Sequence, residues 1–358
     1  MAAILIKILK SHLFSSPKSW QTKEFQSSIQ QSINSPIGKK TATSGRIKMP
    51  SAKLAVGAWM QKPHKQQQQQ GLQIRQVWAD NVEREFKLIR AAVEHFPYVS
   101  MDTEFPGVIH RPSKHPAAMT PAERYALVKA NVDALHLIQV GLSFAASPTS
   151  PPALAFEINL REFDPRVHRH APDSVELLAA SGLDLAAHRA RGVSARALAA
   201  LLMSSGLVCN PEVAWVTFHS AYDFAYLVKI LMGRKLPRSL PEFLKYVRVY
   251  FGPEVYDVKH MMRSCGLLGG LERVAAALQV RRAAGRCHQA ASDSVLTWDT
   301  FRQMKRLYFA KEGSLQLCAG VLFGLELQDD AISRTAPRVP AAAVETTNTR
   351  RNVCSSAV

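Results

Sequence analysis

In the string Met101-Asp102-Thr103-Glu104-Phe105-Pro106-Gly107, two carboxylates stand two residues apart, just after the apolar pair Tyr98-Val99. On a strand, residues i and i+2 share a face, about 7 Å apart at the backbone. Asp102 and Glu104 would then stand side by side immediately before Pro106 and Gly107 stop the strand. Like charges so placed repel, and a divalent cation between them relieves the repulsion. Hard oxygen ligands suit Mg²⁺ or Mn²⁺. A solvated strand end has the same pattern, so the pair alone decides nothing.

Two further strings carry chemistry. In Trp215-Val216-Thr217-Phe218-His219-Ser220-Ala221-Tyr222-Asp223-Phe224, a buried strand gives way to a small polar turn and then to a helix. Asp223 is either the N-cap of that helix or a carboxylate delivered at the sheet edge by a strand-to-helix corner, where α/β folds put their sites. In His288-Gln289-Ala290-Ala291-Ser292-Asp293-Ser294, His288 and Asp293 are five residues apart. Within one helix that spacing separates side chains by about 140°. If both serve one site, His288 must lie in the loop or first turn before the helix. An imidazole there suits a general base, since it titrates near neutral pH. The chain holds 12 histidines, so His288 gains weight only from its neighbours.

The elements that would position these groups follow from periodicity and caps. Apolar residues at helical spacing (Val82, Phe86, Ile89, Val93) predict a helix over Val77 to Phe96, and a strand follows from Tyr98 to Phe105. Thr120-Pro121-Ala122-Glu123 is a capping box with Pro at the first helical position, opening a helix to about His136. Leu137 to Ala145 and Ala153 to Leu160 read as strands around a Pro/Ser turn. Asp173 and Glu176 repeat a capping pattern, Ser194 to Met203 is helix-forming, and Ala214 to Phe218 is a short buried strand. Helices are then expected from Asp223 to Phe309. Asp257, in Tyr256-Asp257-Val258-Lys259, either supports the acids from behind or caps the next helix. Strands early with helices interleaved and later indicate a single α/β domain.

Composition bounds the rest. The chain has 358 residues, 45 Lys+Arg against 28 Asp+Glu and a net charge of +17, which favours a polyanionic partner. Residues 1–65 hold eleven of the bases and one acid, Glu24, so +10 of that charge lies outside the folded region. Residues 1–71, rich in Ser, Gln and Lys, read as a disordered basic extension, with organellar targeting the lesser alternative. Residues 72–328 form the compact domain, and 329–358 a flexible tail. No run approaches the roughly 18 apolar residues of a membrane span, and no membrane partner is expected. The five cysteines (Cys209, Cys265, Cys287, Cys318, Cys354) are odd in number and contain no CxxC. Their spacing suggests neither a zinc site nor a disulfide framework and suits a reduced intracellular protein.

The strings MDTEFPG, FHSAYDFAYLVKIL and HQAASDS resemble, in order and type, the three exonuclease motifs of the DEDD superfamily, histidine subtype. More narrowly they are similar to the Caf/Pop-type deadenylases, catalytic poly(A) ribonuclease subunits of the Ccr–Not complex. IRQVWADN at 74–81, NVDAL at 131–135, IQVGL at 138–142, DSVELL at 173–178 and YDVK at 256–259 add to the likeness, which spans about 73–328. The resemblance implies an RNase H-like exonuclease fold, a central mixed sheet surrounded by helices. It also implies two divalent metal ions, Mg²⁺ or Mn²⁺, on Asp102, Glu104, Asp223 and Asp293, with His288 activating water. The implied activity is 3′-to-5′ shortening of mRNA poly(A) tails with release of AMP. The implied partners are single-stranded RNA, a Not-type scaffold protein and a second deadenylase subunit, in nucleus and cytoplasm. Phe105 and Tyr222 flank the acids and are candidates for stacking on bases, and Lys259 for a phosphate contact. Competing functions are a DEDD exonuclease acting on other RNA or single-stranded DNA, and a nuclease-fold scaffold of a decay or transcription complex. The sequence departs from the family pattern in residues 1–71 and in the Ala- and Arg-rich stretch Ala179 to Met203.

Overall fold

The computed structural model describes residues 72–327; the expected extension at 1–71, the tail at 329–358, Gln328 and Cys354 lie outside the described residues. The first element is a strand, β1 (Ile74–Val77), followed by helix α1 (Val82–Val93). The periodicity predicts a helix from Val77 and no strand before it, so β1 is missed and the helix starts five residues later than expected. Asn81 separates strand from helix: its side chain accepts from the Trp78 N–H at 2.8 Å and donates to the Gln76 carbonyl at 2.9 Å. Those local bonds hold a turn that a continuous helix could not keep. Strand β2 (Tyr98–Glu104) stands as expected, and so does helix α2 (Pro121–Ala134). Its capping box is closed, with the Thr120 hydroxyl accepting from the Glu123 N–H at 3.3 Å and the Glu123 carboxylate from the Thr120 N–H at 2.7 Å.

Strands β3 (Gln139–Ala145) and β4 (Leu154–Asn159) form an antiparallel hairpin and are buried throughout. Three helices follow: α3 (Pro172–Ala180), α4 (Leu185–Arg191) and α5 (Ala195–Ser204). The capping pattern read at Asp173 and Glu176 is not the start of α3. Ala171 holds the N-cap position with Pro172 behind it, and Asp173 sits in the first turn, where a carboxylate still favours the helix dipole. Then come β5 (Ala214–Thr217), α6 (Ala221–Met232) and α7 (Leu240–Phe251). A three-residue strand, β6 (Val255–Asp257), interrupts the stretch expected to be helical, because it completes the sheet beside β5. Helices α8 (Val258–Cys265), α9 (Leu271–Ala277) and α10 (Ala290–Tyr308) end the described domain.

Among the described residues the strands form one sheet in the order β1-β4-β3-β2-β5-β6. The centre, β4-β3-β2, is antiparallel and the flanking pairs are parallel. This is the mixed sheet surrounded by helices that the family resemblance implies. Helix α10 positions the third motif. It is buried continuously from Ala290 to Phe301, and Trp298, Phe301 and Met304 pack with Met261 and Met262 of α8 and with Val216 and Tyr256. Each large side chain so buried contributes about 1.5–3 kcal/mol. The start of α10 lies directly on β3 at Gly141, where any Cβ would overlap the backbone of Ala290 and Ala291.

Candidate active site

Alternation along β2 puts Ser100, Asp102 and Glu104 on one face, and the Ser100 hydroxyl donates to the Ser294 carbonyl of α10 at 2.8 Å. That face therefore looks at the helix carrying Asp293. Carboxylate oxygens of Asp102, Glu104 and Asp293 lie within 4.8 Å of one another. Asp223 joins from the start of α6. Ser220 occupies the N-cap position and the helix begins at Ala221, so Asp223 is not the cap. It sits one turn in, buried, and accepts from the Thr103 hydroxyl at 2.5 Å.

Electrostatics separates this cluster from ordinary surface acids. Burial drives the pKa of Asp102 and Glu104 well above the usual carboxylate range, and repulsion from Asp223 and Asp293 adds to it. Burial pushes Asp223 up to about 7 although the Thr103 hydroxyl opposes the shift. Burial also raises Asp293, against the pull of the Arg282 guanidinium. Four acids that resist being ionised together are a donor set for a hard divalent cation, whose charge removes the repulsion.

His288 stands in the loop before α10, one residue ahead of the N-cap Gln289, as the five-residue spacing requires. Its backbone is left-handed, with φ of 60°. Its N–H donates to Asp293 Oδ2 at 2.9 Å, while its carbonyl accepts from the Ser181 hydroxyl at 3.2 Å. Gln289 donates its side-chain amide to the Ser181 carbonyl at 3.1 Å. The turn after α3 thus clasps the histidine loop from outside. Arg282, the main cation here, is not among the residues that type and spacing single out. Its guanidinium donates to Asp293 Oδ1 and to the Ser292 hydroxyl, each at 2.5 Å, and pairs with Glu272. One arginine among many in a basic chain carries no local signal for such a role.

A second set of residues holds these groups in place. Gln76 donates to Glu157 at 2.8 Å, Asn159 to Gln76 at 3.0 Å and Gln139 to Asn159 at 2.8 Å, a polar chain across β1, β4 and β3. It ends on α10, where the Ala290 N–H donates to Gln139 at 3.4 Å and the Ala291 N–H to Glu157 at 3.3 Å. Sheet side chains thus satisfy N–H groups that the first turn of a helix leaves open. Asp257 fulfils both of its sequence readings. It caps α8 through the Lys259 N–H at 3.0 Å and holds the corner before Asp223 through the N–H groups of His219 (2.8 Å) and Ser220 (3.2 Å). Asn131 accepts from the N–H groups of Ile109 and His110 at 2.8 Å each, fixing the loop beyond Glu104.

The three residues nominated for RNA contact differ in their surroundings. Phe105 and Tyr222 are half-buried and stack on each other, centroids 5.2 Å apart and 21° between planes. The Tyr222 hydroxyl accepts from Asn131 at 3.2 Å. The Lys259 ammonium donates to the Gly269 carbonyl and lies over the rings of Phe218 and Phe323, at 5.7 and 5.8 Å. None of these partners belongs to the acid cluster.

Residues 77–195 match the family described as CAF1 family ribonuclease. The chain is 44% identical over 269 residues to a probable CCR4-associated factor 1 homolog 7 of Arabidopsis thaliana, covering 73% of this chain and 96% of that relative. The chain belongs to the CAF1 ribonuclease family. A second relative, the poly(A) ribonuclease pop2 of Schizosaccharomyces pombe, is 41% identical over 245 residues, 68% of this chain and 71% of the relative. Among solved structures, that of S. pombe Pop2p in its Mg²⁺- and Mn²⁺-bound form superposes with a TM-score of 0.66 at 39% identity. It covers 70% of this chain and 99% of the Pop2p chain. A chain in the structure of the yeast NOT1 MIF4G domain co-crystallised with CAF1 matches with a TM-score of 0.59 at 27% identity, covering 74% of this chain and 100% of that one. The fold of this CAF1 chain is the RNase H-like nuclease fold expected from its motifs.

Proposed function

We propose that this CAF1 chain is a divalent-metal-dependent 3′-to-5′ exoribonuclease that shortens mRNA poly(A) tails and releases AMP, with the activity carried by residues 72–328. The observation that carries the proposal is the convergence of Asp102, Glu104 and Asp293 within 4.8 Å, with the His288 N–H bonded to Asp293 and the Asp223 charge close enough to raise the pKa of Asp102 and Glu104. The donor set is all carboxylate oxygen, which fits Mg²⁺ or Mn²⁺, and the S. pombe relative was solved with both ions. We assign Asp102, Glu104, Asp223 and Asp293 as the ligands of two such ions. Ions held by these four acids would supply Lewis-acid chemistry there, lowering the pKa of an attacking water and offsetting charge on the leaving 3′ oxygen.

The chain's own residues do the rest. His288 takes the proton of the attacking water at a ring nitrogen, and its place in the loop before α10 aims the ring toward Asp293. Attack on the terminal phosphodiester breaks the bond from phosphorus to the 3′ oxygen of the preceding nucleotide. AMP leaves and a new 3′ hydroxyl remains. Phe105 and Tyr222, already stacked, extend a ring surface from the acids for terminal bases, worth about 1–3 kcal/mol per stacked base. Lys259 serves phosphate only by leaving the Gly269 carbonyl. The yeast NOT1–CAF1 structure and the name CCR4-associated factor support a Not-type scaffold and a second deadenylase as partners. We extend the same reading to residence in nucleus and cytoplasm.

Purified protein incubated with Mg²⁺ or Mn²⁺ and end-labelled RNAs ending in A, U or C tracts tests the reading. Preferential shortening of the A tail is expected. No shortening of any tail would leave only a scaffold function, and equal shortening of all three would remove poly(A) specificity.

A further inference from the structure

Asp293 belongs to two different sets of ligands. With Asp102 and Glu104 it forms an all-oxygen face. On its other side, Cys287 Sγ, a His288 ring nitrogen and an Asp293 oxygen also lie within 4.8 Å of one another. The proposed hydrolysis makes no use of Cys287. A thiol, an imidazole and a carboxylate are the ligand types of Zn²⁺ and similar borderline cations, whereas Mg²⁺ prefers oxygen alone. We propose that Cys287, His288 and Asp293 form an inhibitory site for Zn²⁺ or a cation of like softness, whose occupation withdraws His288 and Asp293 from catalysis.

The geometry needs little movement. Zn–S near 2.3 Å and Zn–N or Zn–O near 2.0–2.2 Å place tetrahedral ligand atoms about 3.3–3.8 Å apart. Closing the present span to that value takes about an ångström of side-chain motion, and His288 sits in a loop rather than inside α10. A fourth ligand is at hand in Glu272, which pairs with Arg282 beside Asp293 and whose charge helps to raise the pKa of the Cys287 thiol. Charge balances as well. On binding, Cys287 releases its proton, so Cys287, Glu272 and Asp293 supply three negative charges. The dication and Arg282, which pairs with both Glu272 and Asp293, supply three positive ones. No spacing rule finds this site, because a single cysteine meets its co-ligands through a positive-φ loop and not through a CxxC repeat. The inhibitory consequence rests on the proposed function, while the binding site does not.

The test uses the full chain with saturating Mg²⁺, with Zn²⁺ titrated into the tail-shortening assay and Co²⁺ into a parallel absorption measurement. Wild-type protein should lose Mg²⁺-supported shortening and should show a thiolate-to-cobalt charge-transfer band. Cys287→Ala and the near-isosteric Cys287→Ser should keep the Mg²⁺ activity, lack the band, and need at least about tenfold more Zn²⁺ for half-inhibition. Equal Zn²⁺ sensitivity in all three proteins, or a cobalt band that is absent from wild type or persists in both variants, would overturn the proposal. If no protein shortens tails with Mg²⁺ alone, the nuclease reading fails, and the cobalt band by itself still decides whether the site exists.

Discussion

Asp257 ends strand β6 and Asp223 lies in the first turn of α6, just after the neighbouring strand β5; both are buried, yet they live in opposite circumstances. Asp257 accepts five hydrogen bonds, from the N–H groups of His219, Ser220, Lys259 and Phe323 and from the Ser220 hydroxyl. Asp223 accepts the Thr103 hydroxyl, and backbone N–H groups of Thr103 and of Asp223 itself also favour its charge, yet burial outweighs them and drives its pKa up to about 7. Around Asp257 the protein supplies the positive ends of backbone dipoles. Around Asp223 it supplies further acids, Asp102 among them. Burial of a carboxylate therefore does not mark a site by itself. A shortage of donors among like charges does, because only an external cation can make good the deficit.

Substitution should separate the two aspartates most visibly. Asp102→Ala, and separately Asp223→Asn, should lower tail shortening by about 10³-fold or more while leaving the unfolding midpoint unchanged or higher. Loss of activity together with loss of folding would erase the distinction. Asp257→Ala should behave the other way. Five donors lose their acceptor, and stability should fall by about 3–5 kcal/mol in denaturant titration, with activity falling as the corner before α6 loosens.

Much of this division was legible in the sequence. The i, i+2 placement of Asp102 and Glu104, the capping box at Thr120 and the loop position of His288 follow from local rules, and all three appear in the structure. Three things were not legible, each because it is non-local. Strand β1 exists only through pairing with β4, 81 residues away for Gln76 and Glu157. Arg282 acquires its role from the fold of the loop before α10. The chain from Gln76 to Gln139 consists of polar residues on three strands, none of which is unusual alone.

That last group fixes the start of α10, and hence Asp293, through Gln139 and Glu157. Gly141→Ala would push the start of α10 off β3 and should cost about 1–3 kcal/mol. It should weaken metal dependence as well as stability, because Asp293 moves with the helix. A smaller effect concerns pH. Free aspartate titrates near 3.9, and burial raises the site acids above that, Asp223 to about 7. Between those values the folded chain binds the extra protons. In chelator, stability contributed by these groups should be fullest below pH 4 and decline as pH rises toward 7. Asp223→Asn should flatten the slope, and an unchanged slope would move its origin elsewhere.

The most direct measurement is a Mn²⁺ titration followed by electron paramagnetic resonance, on wild type and on Asp102→Ala shown to be folded by circular dichroism. The acid cluster as described predicts that wild type binds Mn²⁺ and that the variant binds it at least about tenfold more weakly. Equal affinity in the two proteins would contradict the assignment of these acids as the metal site.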